Sequence, residues 1–408
     1  MPALRPPPAP PPWAESLLTV GVTGTNGKTS TTALVASLLS ALAEPVARVT
    51  TVGSFLAEER LDVPGHYDGF LETMRRCVAA GGKYAAVEFT SEALAVGFAK
   101  AWPCRAAVFT NLSLDHLDAH GSPEHYLASK AQLFMALQPG ACAVLNGRDS
   151  AAALIAEVIP HGVEVLRYGV ASRGEAWAEL QLAARGVRLN LQGSEFELEP
   201  SPRFPDLPRT ARIRAIGEIF VENALGALAA ALAVGVPADA ALAALARSAP
   251  PPGRFQVLHE RPCVVVDYAH TPDALSRTLT TARALCAGHV SVVFGAGGER
   301  DRSKRPLLGA AALAADRVWL TSDNPRSEDP QLISEQIAAG LVGHADVRYE
   351  LDRARAIASA IHEANAADLV LIAGKGHERE QHAGGQRRWF SDEAIVRAVC
   401  RSDTAETR

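Results

Sequence analysis

The sequence predicts an α/β protein of two domains, each built on a parallel, doubly wound sheet. Short apolar runs alternate with helix-length segments along most of the 408 residues. The run Ser248-Ala-Pro-Pro-Pro-Gly-Arg254 divides that alternation in two, because consecutive prolines cannot continue a helix. A glycine-rich turn, Thr23-Gly-Thr-Asn-Gly-Lys-Thr-Ser30, joins the first apolar run to the first helix. Doubly wound sheets place their ligands at such strand ends.

Taken in order, Leu17–Val22 reads as the first strand and Thr29–Ala43 as the helix behind it. Ala85–Phe89, Ala106–Thr110 and Cys142–Leu145 are further buried strands, bounded by helical stretches. Glu164–Pro200 alternates apolar and polar residues, as in Arg188-Leu-Asn-Leu-Gln192, and is expected to form a small antiparallel edge. Val221–Arg247 is rich in alanine and reads as a packing helix. Beyond the proline run the strand candidates are Cys263–Asp267, Val290–Phe294, Arg317–Thr321 and Leu369–Ile372. The expected division is a proline-rich arm over 1–16, a central domain over 17–250 and a Rossmann-like C-terminal domain over 251–408. A site in the cleft between two such domains is expected. No repeat of fixed period is present. The arm holds seven prolines in its first twelve residues and reads as a polyproline-type spacer.

Hydrophobic residues make up 48% of the chain and charged residues 21%, the balance of a soluble globular protein. The net charge of -5 gives no basic excess for nucleic acid. No apolar run reaches the roughly 18 residues of a membrane span, and no signal pattern opens the chain. The six cysteines lack C-x-x-C spacing, which argues against a disulfide scaffold and a zinc site. A cytoplasmic, monomeric enzyme acting on small molecules is the expectation, with no nucleic-acid or membrane partner. Lysine is scarce, with six residues against thirty-four arginines. Arginine can supply surface charge but not a compact or titratable amine, so the retained lysines mark positions of interest. Four of the six lie in motifs.

Gly24, Thr25, Asn26 and Gly27 would let backbone N–H groups approach phosphate oxygens, at the start of a helix that favours anions. Lys28 would reach the outer phosphates, and Thr29 and Ser30 carry hydroxyls beside them. The strict Walker spacing is missed, because Val22 stands where its first glycine would be. A P-loop-type ATPase domain binding ATP and Mg²⁺ is the reading. Glu88 closes the strand Ala85–Phe89, where a carboxylate suits Mg²⁺ bridging phosphates. Alone, it could equally cap a helix. Thr110-Asn-Leu-Ser-Leu-Asp-His116-Leu-Asp118 starts at another strand end. Ser122-Pro-Glu then opens a helix that carries Lys130.

These residues resemble the ATP-dependent Mur ligases of peptidoglycan synthesis. Four motifs of the second domain narrow the resemblance to the MurE type, which adds the third residue of the stem peptide. They are Asp267-Tyr-Ala-His270, Gly295-Ala-Gly-Gly-Glu-Arg300-Asp-Arg-Ser-Lys304, Asp323-Asn324-Pro-Arg326 and Gly374-Lys375-Gly-His-Glu378. The resemblance runs from about Leu17 to the C-terminus. It implies that Lys28 and Thr29 hold ATP and Mg²⁺, with Glu88 on the metal. It also implies a second Mg²⁺ site completed by His116 and by Lys130, the lysine as a carbamate. Asn223, Arg254, Asp267 and His270 would contact the nucleotide. Arg300, Asp323, Asn324, Arg326, Gly374 and Glu378 would hold the amino acid, with Arg326 selecting meso-diaminopimelate through a bidentate fork on its distal carboxylate. The implied chemistry is acyl transfer: a carboxylate takes the γ-phosphoryl group, and an amine displaces phosphate as the domains close.

The resemblance weakens on the carboxylate side. The family's N-terminal uridine-diphosphate domain has no counterpart, and Val63-Pro-Gly-His-Tyr-Asp68 lies where a threonine pair is expected. Thr90-Ser91-Glu92 replaces Ser-Ser-His, although Thr90 and Ser91 remain candidates for substrate contact. Phe98 stands in place of an arginine that meets acceptor carboxylates. A lost cation and an added carboxylate both disfavour an anionic acceptor. The expectation is a working ligase with a non-standard carboxylate acceptor. A folylpolyglutamate-synthase-like ligase is the second reading, disfavoured by the Asp-Asn-Pro-Arg and Gly-Lys-Gly-His-Glu motifs. A non-catalytic or activating subunit is the third, disfavoured because Lys28, Glu88, His116 and Lys130 are all present.

Overall fold

The structure, a computed structural model, describes residues 7–113, 122–171, 179–199 and 201–406, with side chains to residue 401. The chain forms two compact units that part between Ala249 and Pro250.

The first unit is organised by one sheet, eleven-stranded among the described residues. Its strands are β1 (Leu18–Thr23), β2 (Val46–Thr50), β3 (Gly53–Leu56), β4 (Glu59–Leu61), β5 (Tyr84–Glu88) and β6 (Ala106–Phe109). They are followed by β7 (Cys142–Asn146), β8 (Glu164–Val170), β9 (Leu182–Asn190), β10 (Gly193–Glu199) and β11 (Thr210–Ile213). The spatial order is β11-β10-β9-β8-β7-β6-β1-β5-β2-β3-β4. Pairing is parallel from β2 through β5, β1, β6, β7 and β8 to β9. The hairpin pairs β2–β3, β3–β4 and β10–β11 are antiparallel. The order reverses at β1, so the carboxyl ends of β1, β5 and β6 open at the switch point where ligands of such sheets sit.

Helices cover both faces, which is why the central strands are apolar without alternation. They are α1 (Lys28–Leu39), α2 (Tyr67–Ala79), α3 (Ser91–Ala95), α4 (Phe98–Ala101), α5 (Pro123–Met135), α6 (Ala151–Ala156), α7 (Glu218–Ala233) and α8 (Ala238–Arg247). Val87 and Ala85 of β5, Phe109 of β6 and Leu145 of β7 share one core with Phe70, Met74, Leu94 and Phe134 of the helices. On the opposite face α7 packs against α1, β7 and β8.

Several sequence expectations change here. The stretch 164–199 joins the large sheet: β8 pairs in parallel with both β7 and β9, and the expected antiparallel edge is confined to its end, where β10 pairs antiparallel with β11. Alternation reports one solvated face and carries no information on strand direction. The alanine-rich segment is two helices, α7 and α8, because Gly235 takes a left-handed φ of +97° and Pro237 follows it. The first helix stops at Leu39, short of Ala43. The proline arm is not a free spacer over its described part. Pro12–Ser16 forms a 3₁₀ turn, Trp13 lies 6.3 Å from Trp102 between ring centroids, and the Tyr67 hydroxyl donates to the Pro8 carbonyl at 3.0 Å.

The second unit holds β12 (Gln256–Glu260), β13 (Cys263–Asp267), β14 (Val290–Phe294), β15 (Arg317–Leu320), β16 (Val347–Tyr349) and β17 (Leu369–Ala373). Their order is β12-β13-β17-β14-β15-β16, parallel except for the β12 edge. A separate hairpin pairs β18 (Glu380–Ala383) with β19 (Gln386–Trp389). The helices are α9 (Pro272–Leu285), α10 (Lys304–Ala312), α11 (Pro330–Ala338), α12 (Arg353–His362) and α13 (Asp392–Glu406). Val266, Val293 and Ile372 of the sheet pack with Ile357 and Ile361 of α12 and Val396 of α13. Arg353 and Asp392 form a buried, doubly hydrogen-bonded ion pair within that core, at 2.8 Å for each bond. No helix among the described residues is long and apolar enough to cross a membrane.

Candidate active site

In the first unit the turn between β1 and α1 is held from several sides. Asn26 N–H donates to the Asn111 side chain at 2.9 Å, and the Thr110 hydroxyl donates to the Asn26 carbonyl at 2.7 Å. Thr25 N–H donates to the Asn111 carbonyl at 2.9 Å, and its hydroxyl accepts from Tyr126 at 3.3 Å. Gly24 and Gly27 have φ of +152° and +84°, the left-handed region open to glycine. A Cβ on Gly24 would come within 1.9 Å of the Thr110 hydroxyl, and one on Gly27 within 2.2 Å of the Asn223 side chain. Only bare backbone fits these two positions, which is the form a phosphate cradle requires.

Lys28 opens α1 and donates to the Thr25 carbonyl at 2.8 Å, so its amine lies along the turn. Thr29 donates to Glu88 at 2.9 Å; Ser30 is buried in the same helical turn. Glu88 also accepts from the hydroxyl and the N–H of Thr51, both at 3.3 Å. A buried carboxylate flanked by two hydroxyls fits Mg²⁺, which takes one or two protein oxygens and completes its shell with phosphates and water. Such sites need no cluster of three acidic or histidine ligands, and the described residues contain none. Lys130, on α5, is buried with its amine 2.7 Å from the Gly24 carbonyl and 4.0 Å from the centre of the Tyr126 ring. Asn223, on α7, is buried against Gly27. His116 lies outside the described residues. Thr90 caps α3, accepting from Ala93 N–H at 3.2 Å, and Ser91 is buried behind it.

In the second unit Arg300, Asp323, Asn324, Arg326, Gly374 and Glu378 line one pocket of about 190 Å³, together with His270 and Lys304. His270 therefore stands beside the residues assigned to the amino acid as well as following Asp267. Asn324 donates to Glu378 at 3.0 Å. Lys375 is buried beneath them and donates to Asn324 at 3.1 Å, to Glu378 at 2.9 Å and to the Glu380 carbonyl at 2.8 Å. Arg326 takes a left-handed φ of +53°, strained for a residue with a side chain. The β18–β19 hairpin holds it there: Arg326 N–H donates to the His382 carbonyl at 2.9 Å, and Gly384 N–H donates back at 2.7 Å.

Glu328 braces the loop opposite. It accepts from Arg305 at 3.0 and 3.1 Å and from Glu299 N–H at 2.5 Å. The Arg305 guanidinium is the main reason that its carboxyl is lowered to about 2 from an ordinary 4.5. A lowered folded value adds stability above the unfolded value, and that stability is lost as pH falls through the folded one. Glu328→Gln should therefore flatten the stability of the protein between about pH 4.5 and 2, measured by urea unfolding across that range. An unchanged pH slope would remove Glu328 from this role.

Asp267 ends β13 and is buried. It accepts from Phe255 N–H at 2.6 Å and Ala269 N–H at 2.8 Å. Burial pushes its carboxyl above the usual range, opposed by the Phe255 N–H and by Arg254. Arg254 stacks 4.5 Å from the Tyr268 ring centre, and its buried Nε has no hydrogen-bond partner among the described residues.

The residues that sequence reasoning missed are the supports. Thr51, Tyr126 and Lys375 each bond directly to a candidate residue. Lys375 had a signal in the scarcity of lysine; Thr51 and Tyr126 had none.

The Mur ligase middle domain family matches residues 22–231, and the Mur ligase glutamate ligase domain family matches 253–376. The UDP-N-acetylmuramoyl-L-alanyl-D-glutamate–2,6-diaminopimelate ligases of Synechococcus elongatus and Ralstonia nicotianae are each 39% identical to it. The matches cover 94% and 95% of this chain and 76% of either relative. A solved structure of a ligase of that name superimposes with a TM-score of 0.64 at 34% identity, over 95% of this chain and 79% of the other. Folylpolyglutamate synthase of Mycobacterium tuberculosis shares the fold, with a TM-score of 0.69 at 20% identity over 89% of each chain. The chain belongs to the Mur ligase family and is an ATP-dependent ligase that joins an acid to an amino acid through a carbon–nitrogen bond.

Proposed function

We propose that this ligase couples a diaminopimelate-like amino acid to a carboxylate acceptor through an acyl phosphate. The observation that carries the reading is the pocket of the second unit. Three cations, Arg300, Lys304 and Arg326, line it with the carboxylates of Asp301, Asp323 and Glu378. A zwitterion with a further carboxylate matches that charge pattern, and the relatives are named as ligases of 2,6-diaminopimelate.

ATP would lie over Gly24–Ser30, with Lys28 along its outer phosphates. Thr29 and Glu88 would hold one Mg²⁺, and His116 with Lys130, carbamylated by CO₂, would complete a second. The metal would supply neutralisation of charge on the phosphates. A carboxylate oxygen of the acceptor attacks the γ-phosphorus and ADP leaves. The amine then attacks the acyl carbon, phosphate leaves and the amine loses a proton. Lys28 stabilises charge on the phosphoryl group in flight, and such electrostatic stabilisation supplies most of the rate enhancement in phosphoryl transfer. Asn223, Arg254, Asp267 and His270 would frame the nucleotide. We place the reaction in the cytoplasm, with an acceptor other than the usual nucleotide-linked muropeptide.

The test is phosphate release from ATP over a matrix of amino acids (meso-diaminopimelate, lysine, glutamate) and of carboxylate acceptors with and without the uridine diphosphate group, with hydroxylamine added in parallel to trap acyl phosphate as hydroxamate. Release with diaminopimelate and trapping without it are expected. Arg326→Ala should raise the KM for diaminopimelate about 10–100-fold, the loss of a charge-assisted pair worth ~1.5–3 kcal/mol. An unchanged KM would sink the assignment of the amine pocket.

A further inference from the structure

A cavity of about 1100 Å³ opens in the first unit from Glu88 and Thr51 and runs past residues 60–68 and 90–98. Pro7 and Pro8 form part of its wall. We infer that this cavity receives the body of the acceptor, and that the acceptor is a carboxylic acid with an apolar or aromatic body and no diphosphate. The inference rests on the acyl-phosphate reading above, because the acceptor carboxylate must reach the γ-phosphorus, on the side of the phosphates where Glu88 would hold Mg²⁺.

The first support is the wall. Phe98 lines the cavity at the centre of an aromatic cluster, with ring centroids 5.5 Å from Tyr67, 4.9 Å from Phe70 and 5.2 Å from Phe89. Val63 and Val96 continue the apolar surface. Pockets of this character bury most of a small ligand and take their specificity from a few polar groups at one end. Here that end is Glu88 with Thr51.

Charge is the second. Three carboxylates line the cavity, Glu88, Asp62 and Asp68, against the single guanidinium of Arg60 among the lining residues. His66 is within 3.5 Å of Asp68, so any positive charge on it is already matched. With Glu88 on the metal and His66 neutral, Asp62 and Asp68 still outnumber Arg60, so a diphosphate brought into this surface meets net negative charge rather than a clamp. Of the described arm residues at the cavity, Pro7 and Pro8 have no N–H to offer a phosphate oxygen. What Pro8 does offer, its carbonyl, accepts from the Tyr67 hydroxyl at 3.0 Å and fixes that ring in the wall.

The experiment uses the full chain with three apolar acids as probes: decanoate, 4-phenylbutanoate and N-acetyl-L-phenylalanine. The uridine-diphosphate-linked muramoyl dipeptide serves as the contrasting acceptor. Binding is read as a saturable rise in Tm, and activation as hydroxamate formed with ATP and hydroxylamine. At least one apolar acid should bind and form hydroxamate at least tenfold faster than the nucleotide-linked dipeptide at equal concentration. Phe98→Arg should cut that preference at least tenfold. Ala93→Glu, at a half-buried position that lines the cavity in the first turn of α3, should weaken the apolar acid at least fivefold without loss of fold. Preference for the nucleotide-linked dipeptide would overturn this inference and leave the ligase chemistry standing. Failure of all three apolar acids to bind would overturn it as well. Binding without hydroxamate would instead sink the acyl-phosphate reading and leave the cavity's ligand class in place.

Discussion

Replacement of Lys28 by alanine is expected to lower kcat by about 10³-fold, at the upper end of what one preorganised donor to a reacting group contributes. Its amine donates to the Thr25 carbonyl across the same turn whose two glycines admit no side chain. The cradle and the cation are thus one device, and in the proposed mechanism the cation is the part that would meet charge on the phosphoryl group. Folding should be almost indifferent to the change. The half-exposed hydrogen bond to Thr25 is worth ~1 kcal/mol at most. Steady-state phosphate release alongside a thermal melt separates the two effects. A variant retaining a tenth of the wild-type turnover would exclude Lys28 from the reaction.

A second large effect lies away from the chemistry. Asp392→Ala leaves Arg353 buried without its bonded carboxylate, with only the weaker fields of Asp323 and Glu378 to offset its charge, and loss of one partner of such a pair costs about 3–5 kcal/mol. The pair is fully enclosed, and Arg353 also donates to the Ala373 carbonyl at 2.9 Å, at the end of β17. Of the next residues, Gly374 lines the pocket proposed for the amino acid and Lys375 is buried beneath it, so the strain falls on that site as well as on the core. Urea unfolding should show a lower midpoint with an unchanged slope. The double variant Arg353→Met/Asp392→Leu should recover much of the loss, because two apolar groups need no partner. A single variant within 1 kcal/mol of wild type would contradict the burial of the pair.

Much of the fold was legible because buried parallel strands leave a plain signal. The apolar runs at β5, β6, β7, β13, β14, β15 and β17 fall within a residue or so of their observed limits. Strands without such runs were missed. The β2–β4 edge and the β18–β19 hairpin are short, partly exposed and rich in charge, as in Gln386-Arg-Arg-Trp389. Direction was also hidden at β8, which pairs in parallel on both sides while β10 beyond it is antiparallel to β11, because alternation reads the same for either partner. The site behaved likewise. Residues in compact motifs, such as Gly24–Ser30 and Asp323–Arg326, could be read as groups. Thr51 could not, because its bond to Glu88 joins residues 37 positions apart and only the pairing of β2 with β5 brings them together.

The burial of Lys130 and Lys375 has a consequence for protein chemistry. With six lysines in 408 residues, an amine-reactive label has few side-chain targets. Two of them, at 1% and 0% exposure, are out of its reach. Lys83 and Lys100 stand in solvent and should react first, while Lys28 is half-exposed at the rim of the cradle. Acylation followed by peptide mapping then becomes a footprint of the nucleotide: occupancy is read from the protection of one amine, with Lys83 and Lys100 as internal standards in the same digest.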